Sequence, residues 1–135
     1  MTKNRYGRAG LALTMGLALA GAASRAQDSA PEGDVEAGAD IYATQCKGCH
    51  TVSIAPTLRG VADRPIASVA DFSGYSAALK AKSGETWTAK NLGAFLSAPA
   101  AFAPGTRMVM TVADPQARAD VIAYIRSLPP PRTNP

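Results

Sequence analysis

Cys46-Lys47-Gly48-Cys49-His50 is the stretch that decides this chain. It has the form C-x-x-C-H, the pattern by which a haem is attached covalently. Two thiols three positions apart near the end of a helix can each add to one vinyl group of the same haem. The next residue then brings an imidazole under the iron. These are the only two cysteines in the chain, and His50 is its only histidine. A structural zinc site needs about four ligands, and no cysteine or histidine remains to complete one. The stronger rival is a thioredoxin-like pair, in which Cys46 and Cys49 would shuttle between dithiol and disulfide. Such a pair has no use for the following histidine, which favours haem.

Upstream of the motif the chain opens as an export signal. Lys3, Arg5 and Arg8 form a basic start, Ala9 to Ala23 is an apolar run, and Ser24-Arg25-Ala26 offers small residues at the two positions signal peptidase reads. Cleavage is expected before Gln27, giving a signal peptide over 1–26 and a periplasmic product. Ala20-Gly21-Ala22 is a second candidate site, and an uncleaved signal acting as a membrane anchor is the alternative; the apolar run is short for a span, which needs about 20 residues. Four of the 14 basic residues (Lys3, Arg5, Arg8, Arg25) precede Gln27 and none of the 10 acidic ones does, so the mature chain carries 10 of each and is formally neutral. The basic pI of the whole sequence, about 9.3, therefore belongs to the targeting segment and implies no nucleic-acid partner. An oxidising compartment permits a disulfide, so location alone leaves the thiol-redox rival open.

Residues 27–33 read as a polar, flexible leader, 34–130 as one small domain, and 131–135 as a tail after the Pro129-Pro130-Pro131 stop. The domain is long enough for only a modest core of side chains. Its pattern is helical. Asp34 caps a first helix, with Val35, Gly38, Ile41, Tyr42 and Cys46 along one face. Tyr75 or Ser76 opens a short helix through Leu79. Thr86 or Thr88 starts another, in which Leu92, Phe95 and Leu96 face inward until Pro99 ends it. Asp114-Pro115 caps the last helix, whose stripe is Val121, Ile122, Tyr124, Ile125 and Leu128. No alternating run argues for a sheet. The fold class is all-α with long loops, 51–71 and 98–113, of a length that in a small domain implies chain wrapped around something.

The second of those loops contains Pro104-Gly105-Thr106-Arg107-Met108. A methionine in a loop is usually a gap-filler; with C-x-x-C-H upstream, Met108 becomes the leading candidate for the other side of the iron. Together with Pro56-x-Leu58-x-Gly60, Tyr75-Ser76, Trp87 and Val121-Ile122-Ala123-Tyr124-Ile125, these residues make the chain resemble a class I c-type cytochrome, of the bacterial cytochrome c2 and mitochondrial cytochrome c type. That family's fold has N- and C-terminal helices packed across each other, with loops and short helices around one covalent haem.

The resemblance implies roles residue by residue. Cys46 and Cys49 carry the thioether bonds of one haem c, and His50 and Met108 ligate its iron. The carbonyl of Pro56 accepts the other ring N–H of His50, Leu58 packs on the haem, and Tyr75 and Trp87 hydrogen-bond a propionate whose charge Arg64 helps offset. Gly38 and Tyr42 meet Val121 and Tyr124. For Tyr42 and Tyr124 aromatic core is the simple reading; for Trp87 the propionate is favoured, since a buried indole N–H needs a partner. Three departures stand out. Phe95 occupies a position where many relatives carry a tyrosine whose hydroxyl reaches the methionine ligand. Met110, two residues past Met108, stands where an aromatic is usual and is a substitute ligand to weigh. Gln45, Ala100 and Ala101 interrupt the lysine ring of mitochondrial-type relatives, leaving Lys47, Lys80, Lys82, Lys90 and Arg107.

Six ligands leave the iron no open position, and no second histidine exists for general acid–base work. The expected function is therefore a one-electron carrier, not an enzyme. It would act as a monomer between larger redox proteins: a cytochrome complex, oxidase, reductase or dehydrogenase. The alternatives are a peroxidase-like or gas-binding haem with Met108 detached, and a haem subunit dedicated to one dehydrogenase or oxidase.

Overall fold

The computed structural model describes residues 31–132. The export segment at 1–26 and the first part of the leader lie outside them. Within them the fold is helical, and the only strand-like pairing is an isolated antiparallel bridge between Pro65 and Thr86.

Helix α1 (Val35–Ile41) starts where the Asp34 carboxylate accepts the N–H groups of Glu36 and Ala37, at 2.8 and 3.0 Å. Val35, expected on the inward face, is 47% exposed; the residues that meet the last helix here are Gly33, Asp34 and Gly38 instead. The helix then widens into a π-turn, Tyr42–Cys46, before α2 (Lys47–His50). One extra residue in a turn rotates all that follows by about 100° relative to a regular α-helix. The attachment motif leaves that turn with Cys46 buried and Cys49 exposed.

Helix α3 (Ala77–Ala81) is capped by Ser76 and α4 (Ala89–Ser97) by Thr88, each hydroxyl accepting a backbone N–H three residues on. The chain past Ala98 departs from the irregular stretch the sequence suggests. Pro99–Phe102 forms a one-turn helix, α5, because proline's fixed φ suits a first helical position. Helix α6 (Pro115–Ser127) begins at Asp114, whose carboxylate accepts the Ala117 N–H at 2.7 Å. Its stripe is buried at Val121, Ile122 and Ile125 and half-buried at Tyr124 and Leu128. Asp120, unmarked by any sequence pattern, is buried beside them.

α1 and α6 cross in contact at Gly38. A Cβ on that residue would lie 2.0 Å from the Asp120 carbonyl oxygen, so only glycine lets the two backbones approach this closely. The rings of Tyr42 and Tyr124 pack beside the crossing at 5.1 Å. Asp120 accepts the Asp34 N–H at 2.8 Å, and Gln116 donates to both Asp120 and the Glu32 carbonyl. The leader is thus held from Glu32 onward and is not a free strand up to residue 33. At the other end the Gly60 N–H bonds the Leu128 carbonyl.

The remaining core residues do not fill a solid centre. Val61, Leu79, Trp87, Leu92, Phe95, Leu96, Val112 and Ile125 are all buried, and all wall the same cleft.

Candidate haem site

The cleft has a volume of about 270 Å³ and a mostly apolar lining. One wall is the motif itself: Cys46, Cys49 and His50. The loop that follows Phe102 contributes Thr106, Arg107, Met108, Val109 and Met110. Each of the remaining predicted site residues (Pro56, Leu58, Arg64, Tyr75, Trp87 and Phe95) also lines it. The chain therefore brings all ten together, although they span 63 positions from Cys46 to Met108, numbered inclusively.

Each is placed by identifiable local chemistry. The reverse turn after His50 carries Pro56 back so that its carbonyl lies 2.6 Å from His50 Nδ1. A carbonyl only accepts, so Nδ1 carries the proton and Nε2 keeps its lone pair. Burial pushes the His50 pKa down, and the bond to Pro56 offsets this in part. A neutral imidazole with a fixed tautomer is the form a metal binds.

Met108 is presented by a turn at Ala103–Thr106. Pro104 and Gly105 take the two central positions, Gly105 has φ +77°, and the Thr106 N–H returns to the Ala103 carbonyl at 3.1 Å. This is the type II arrangement, which requires glycine at its third residue. Met108 is half-buried against the core, whereas Met110 is 43% exposed.

A short ladder, invisible in the sequence pattern, sets Arg64 and Trp87. The N–H groups of Trp87 and Ile66 donate to the carbonyls of Arg64 and Glu85, both at 2.9 Å. Trp87 packs on Phe95 and stacks on Phe102 at centroid distances of 5.2 and 5.8 Å. The Tyr75 phenol oxygen accepts the Val69 N–H at 3.2 Å, leaving its own proton free to donate, and burial holds its pKa above the ordinary value. Arg64 Nη2 is 3.4 Å from the Ser68 carbonyl. Sequence reasoning missed Ile54, Val69 and Phe72, which also line the cleft. They sit in the aperiodic 51–74 region, where no spacing marks an inward face.

The donor set fits a covalently held haem. Two thiols, an imidazole nitrogen and a thioether meet at one apolar cleft, with Tyr75, Trp87 and Arg64 supplying polar groups. Burial raises the Cys46 thiol pKa, the reverse of the lowered value that activates a thiol-redox pair. Among the described residues, no three His, Cys, Asp or Glu side chains gather into another metal site. A wider groove of about 510 Å³ runs behind His50 between Tyr42, Arg59, Asp71 and Tyr124, and contains neither cysteine nor methionine. Of the cations proposed for the surface ring, Arg107 lines the cleft, while Lys82 is paired with Glu85 at 3.1 Å and lies over the Phe102 ring.

Comparison with known proteins gives concordant matches. The family model described as Cytochrome c matches residues 35–129. A cytochrome c from Tetrahymena pyriformis is 42% identical over 103 residues, covering 73% of this chain and 92% of that protein. The cytochrome c-type cyt cy of Rhodobacter capsulatus is 41% identical over 103 residues, covering 72% of this chain and 50% of that protein. The solved structure of cytochrome cH from Methylobacterium extorquens superimposes with a TM-score of 0.63 and 39% identity, covering 70% of this chain and 99% of that one.

Proposed function

Because the chain belongs to the cytochrome c family, we propose that it is a periplasmic carrier of single electrons whose haem iron is held between His50 and Met108. Membership carries the coarser part: the protein binds haem c covalently, moves electrons and is not an enzyme. When bound, the haem supplies a metal that changes oxidation state by one electron with little rearrangement.

The protein's own residues set the terms of that exchange. Cys46 and Cys49 fix the group in place. His50, locked through Nδ1 to Pro56, offers Nε2. Met108 offers a thioether, which favours the reduced state and so a higher potential. Leu79, Leu92, Phe95 and Leu96 keep water away and disfavour extra charge. Tyr75, Trp87 and Arg64 are the groups at the cleft able to hold a carboxylate. The single observation that most supports the reading is that one apolar cleft is lined both by the motif and by the Met108 loop, 58 residues apart in sequence from His50 to Met108.

Export to the periplasm rests on the basic and then apolar residues 1–26. Among the described residues no helix is long and apolar enough to cross a membrane. The mature mass tests this part: cleavage before Gln27 plus one haem is expected, and a retained N-terminus would replace the soluble shuttle with an anchored one. Voltammetry of the purified holoprotein tests the rest. A reversible wave of one electron, with no uptake of carbon monoxide on reduction, is expected. Ready binding of carbon monoxide would favour a gas-binding or peroxidase-like site instead.

A further inference from the structure

The loop that carries Met108 is held in an uneven way. Residues 103–113 have no helix or strand of their own. Among the described residues, 107–111 make no hydrogen bond outside the loop; the Met108 N–H reaches only Thr106 Oγ1, at a long 3.4 Å. The start of the loop is fixed by the Ala103–Thr106 turn and by fully buried Ala103. Its far end is fixed by the Val112 N–H on the Leu96 carbonyl at 2.9 Å. One side chain completes that end. Arg118, half-buried on α6, places Nη1 2.7 Å from the Val112 carbonyl and 2.6 Å from the Ala113 carbonyl.

We propose that Arg118 is the positioning residue of the methionine ligand: its guanidinium clamps the end of the Met108 loop to α6 and so keeps the sulfur on the iron. The inference rests on Met108 being that ligand. Its physical basis is the short, charge-assisted bonding of one planar nitrogen to two consecutive carbonyls. These bonds tie a segment with few anchors of its own to α6, whose Val121 is fully buried. Without them the segment regains conformational freedom, and the state with the methionine displaced becomes more populated. The neighbouring helix cation Arg126 provides a contrast, since it meets only Asp63, at 3.2 Å on the surface, and does not touch the loop.

Imidazole binding to the ferric holoprotein reads this equilibrium directly. A foreign ligand reaches the iron only when the methionine has left, so its apparent affinity scales with the open fraction. In Arg118→Gln, imidazole affinity is expected to rise about tenfold or more, the range given by losing hydrogen bonds to a charged group, and the iron–methionine charge-transfer band is expected to weaken. Arg126→Gln is expected to match the parent protein. Arg118→Lys keeps the charge but not the planar, pre-organised guanidinium and is expected to fall between; it carries the same comparison if Arg118→Gln yields too little holoprotein. Unchanged imidazole affinity in both Arg118 variants would overturn the clamp, as would an equal rise in Arg126→Gln. A parent protein lacking the charge-transfer band would instead overturn the ligation reading beneath it.

Discussion

Met108 and Met110 stand two positions apart on the same cleft wall, yet their surroundings divide them. Met108 packs against the core, and Met110 leaves 43% of its surface to solvent. A ligand needs the first environment, since an exposed thioether has water as a competitor and no packing to hold it. Phe95 shares the cleft with them and is fixed by Trp87 and Phe102, with no polar atom of its own to offer. Phe95→Tyr adds a hydroxyl to that wall, and the expected outcome is a shifted reduction potential with the melting temperature largely retained, measured by voltammetry and thermal unfolding. Two phenols carry the pH response. Burial is the first cause raising Tyr42, with Tyr124 adding to it, and burial likewise raises Tyr75. A folded pKa above the unfolded one gives stability that is complete below the ordinary value of 10.0 and is lost as pH climbs through the folded value. Denaturant unfolding of the holoprotein is therefore expected to show an alkaline loss of stability that shrinks in the double variant Tyr42→Phe, Tyr75→Phe.

Helix boundaries were the most legible feature of the sequence, because caps act locally. Asp34, Ser76, Thr88 and Asp114 each start the helix that their side-chain acceptors imply. Less legible were features that depend on distant chain. The bridge joining Pro65 to Thr86, the burial of Asp120 under the Asp34 N–H, and the anchoring of Glu32 by Gln116 all arise from tertiary contact. The π-turn at Tyr42–Cys46 leaves no mark in hydrophobic spacing either. Two glycines facing α6 make the packing of the elements testable. At Gly38 a Cβ would meet backbone at 2.0 Å, so Gly38→Ala is expected to cost about 1–3 kcal/mol despite alanine's better helix propensity. At Gly93, within α4, the nearest atom is the Ile122 Cδ1 at 3.8 Å, and Gly93→Ala is expected to be neutral or to stabilise by up to about 1 kcal/mol. Chemical denaturation of both variants checks the contrast; equal effects would mean that the α1–α6 crossing is looser than described.

For the molecule as a whole, the candidate site was legible because its chemistry is concentrated in one five-residue motif and one methionine loop. The aperiodic residues that complete the cleft, Ile54, Val69 and Phe72, were not. Surface charge gives the other whole-molecule expectation. From Gln27 on, the chain has 10 basic and 10 acidic residues, and Lys82 is already paired with Glu85. Ile54 and Val109, 69% and 87% exposed, stand at the cleft. Electron exchange with a redox partner should therefore depend weakly on ionic strength, with the second-order rate constant changing less than about tenfold between low and physiological salt in stopped-flow mixing. A steep fall would instead indicate charge-steered docking. All of this depends on a haem iron closed between His50 and Met108. The most direct measurement is the optical spectrum of the ferric holoprotein beside its Met108→Ala and Met110→Ala variants. The account expects a low-spin spectrum with an iron–methionine charge-transfer band in the parent and Met110→Ala, and loss of that band in Met108→Ala. A high-spin parent, or a band that vanishes with Met110 and survives the loss of Met108, would contradict it.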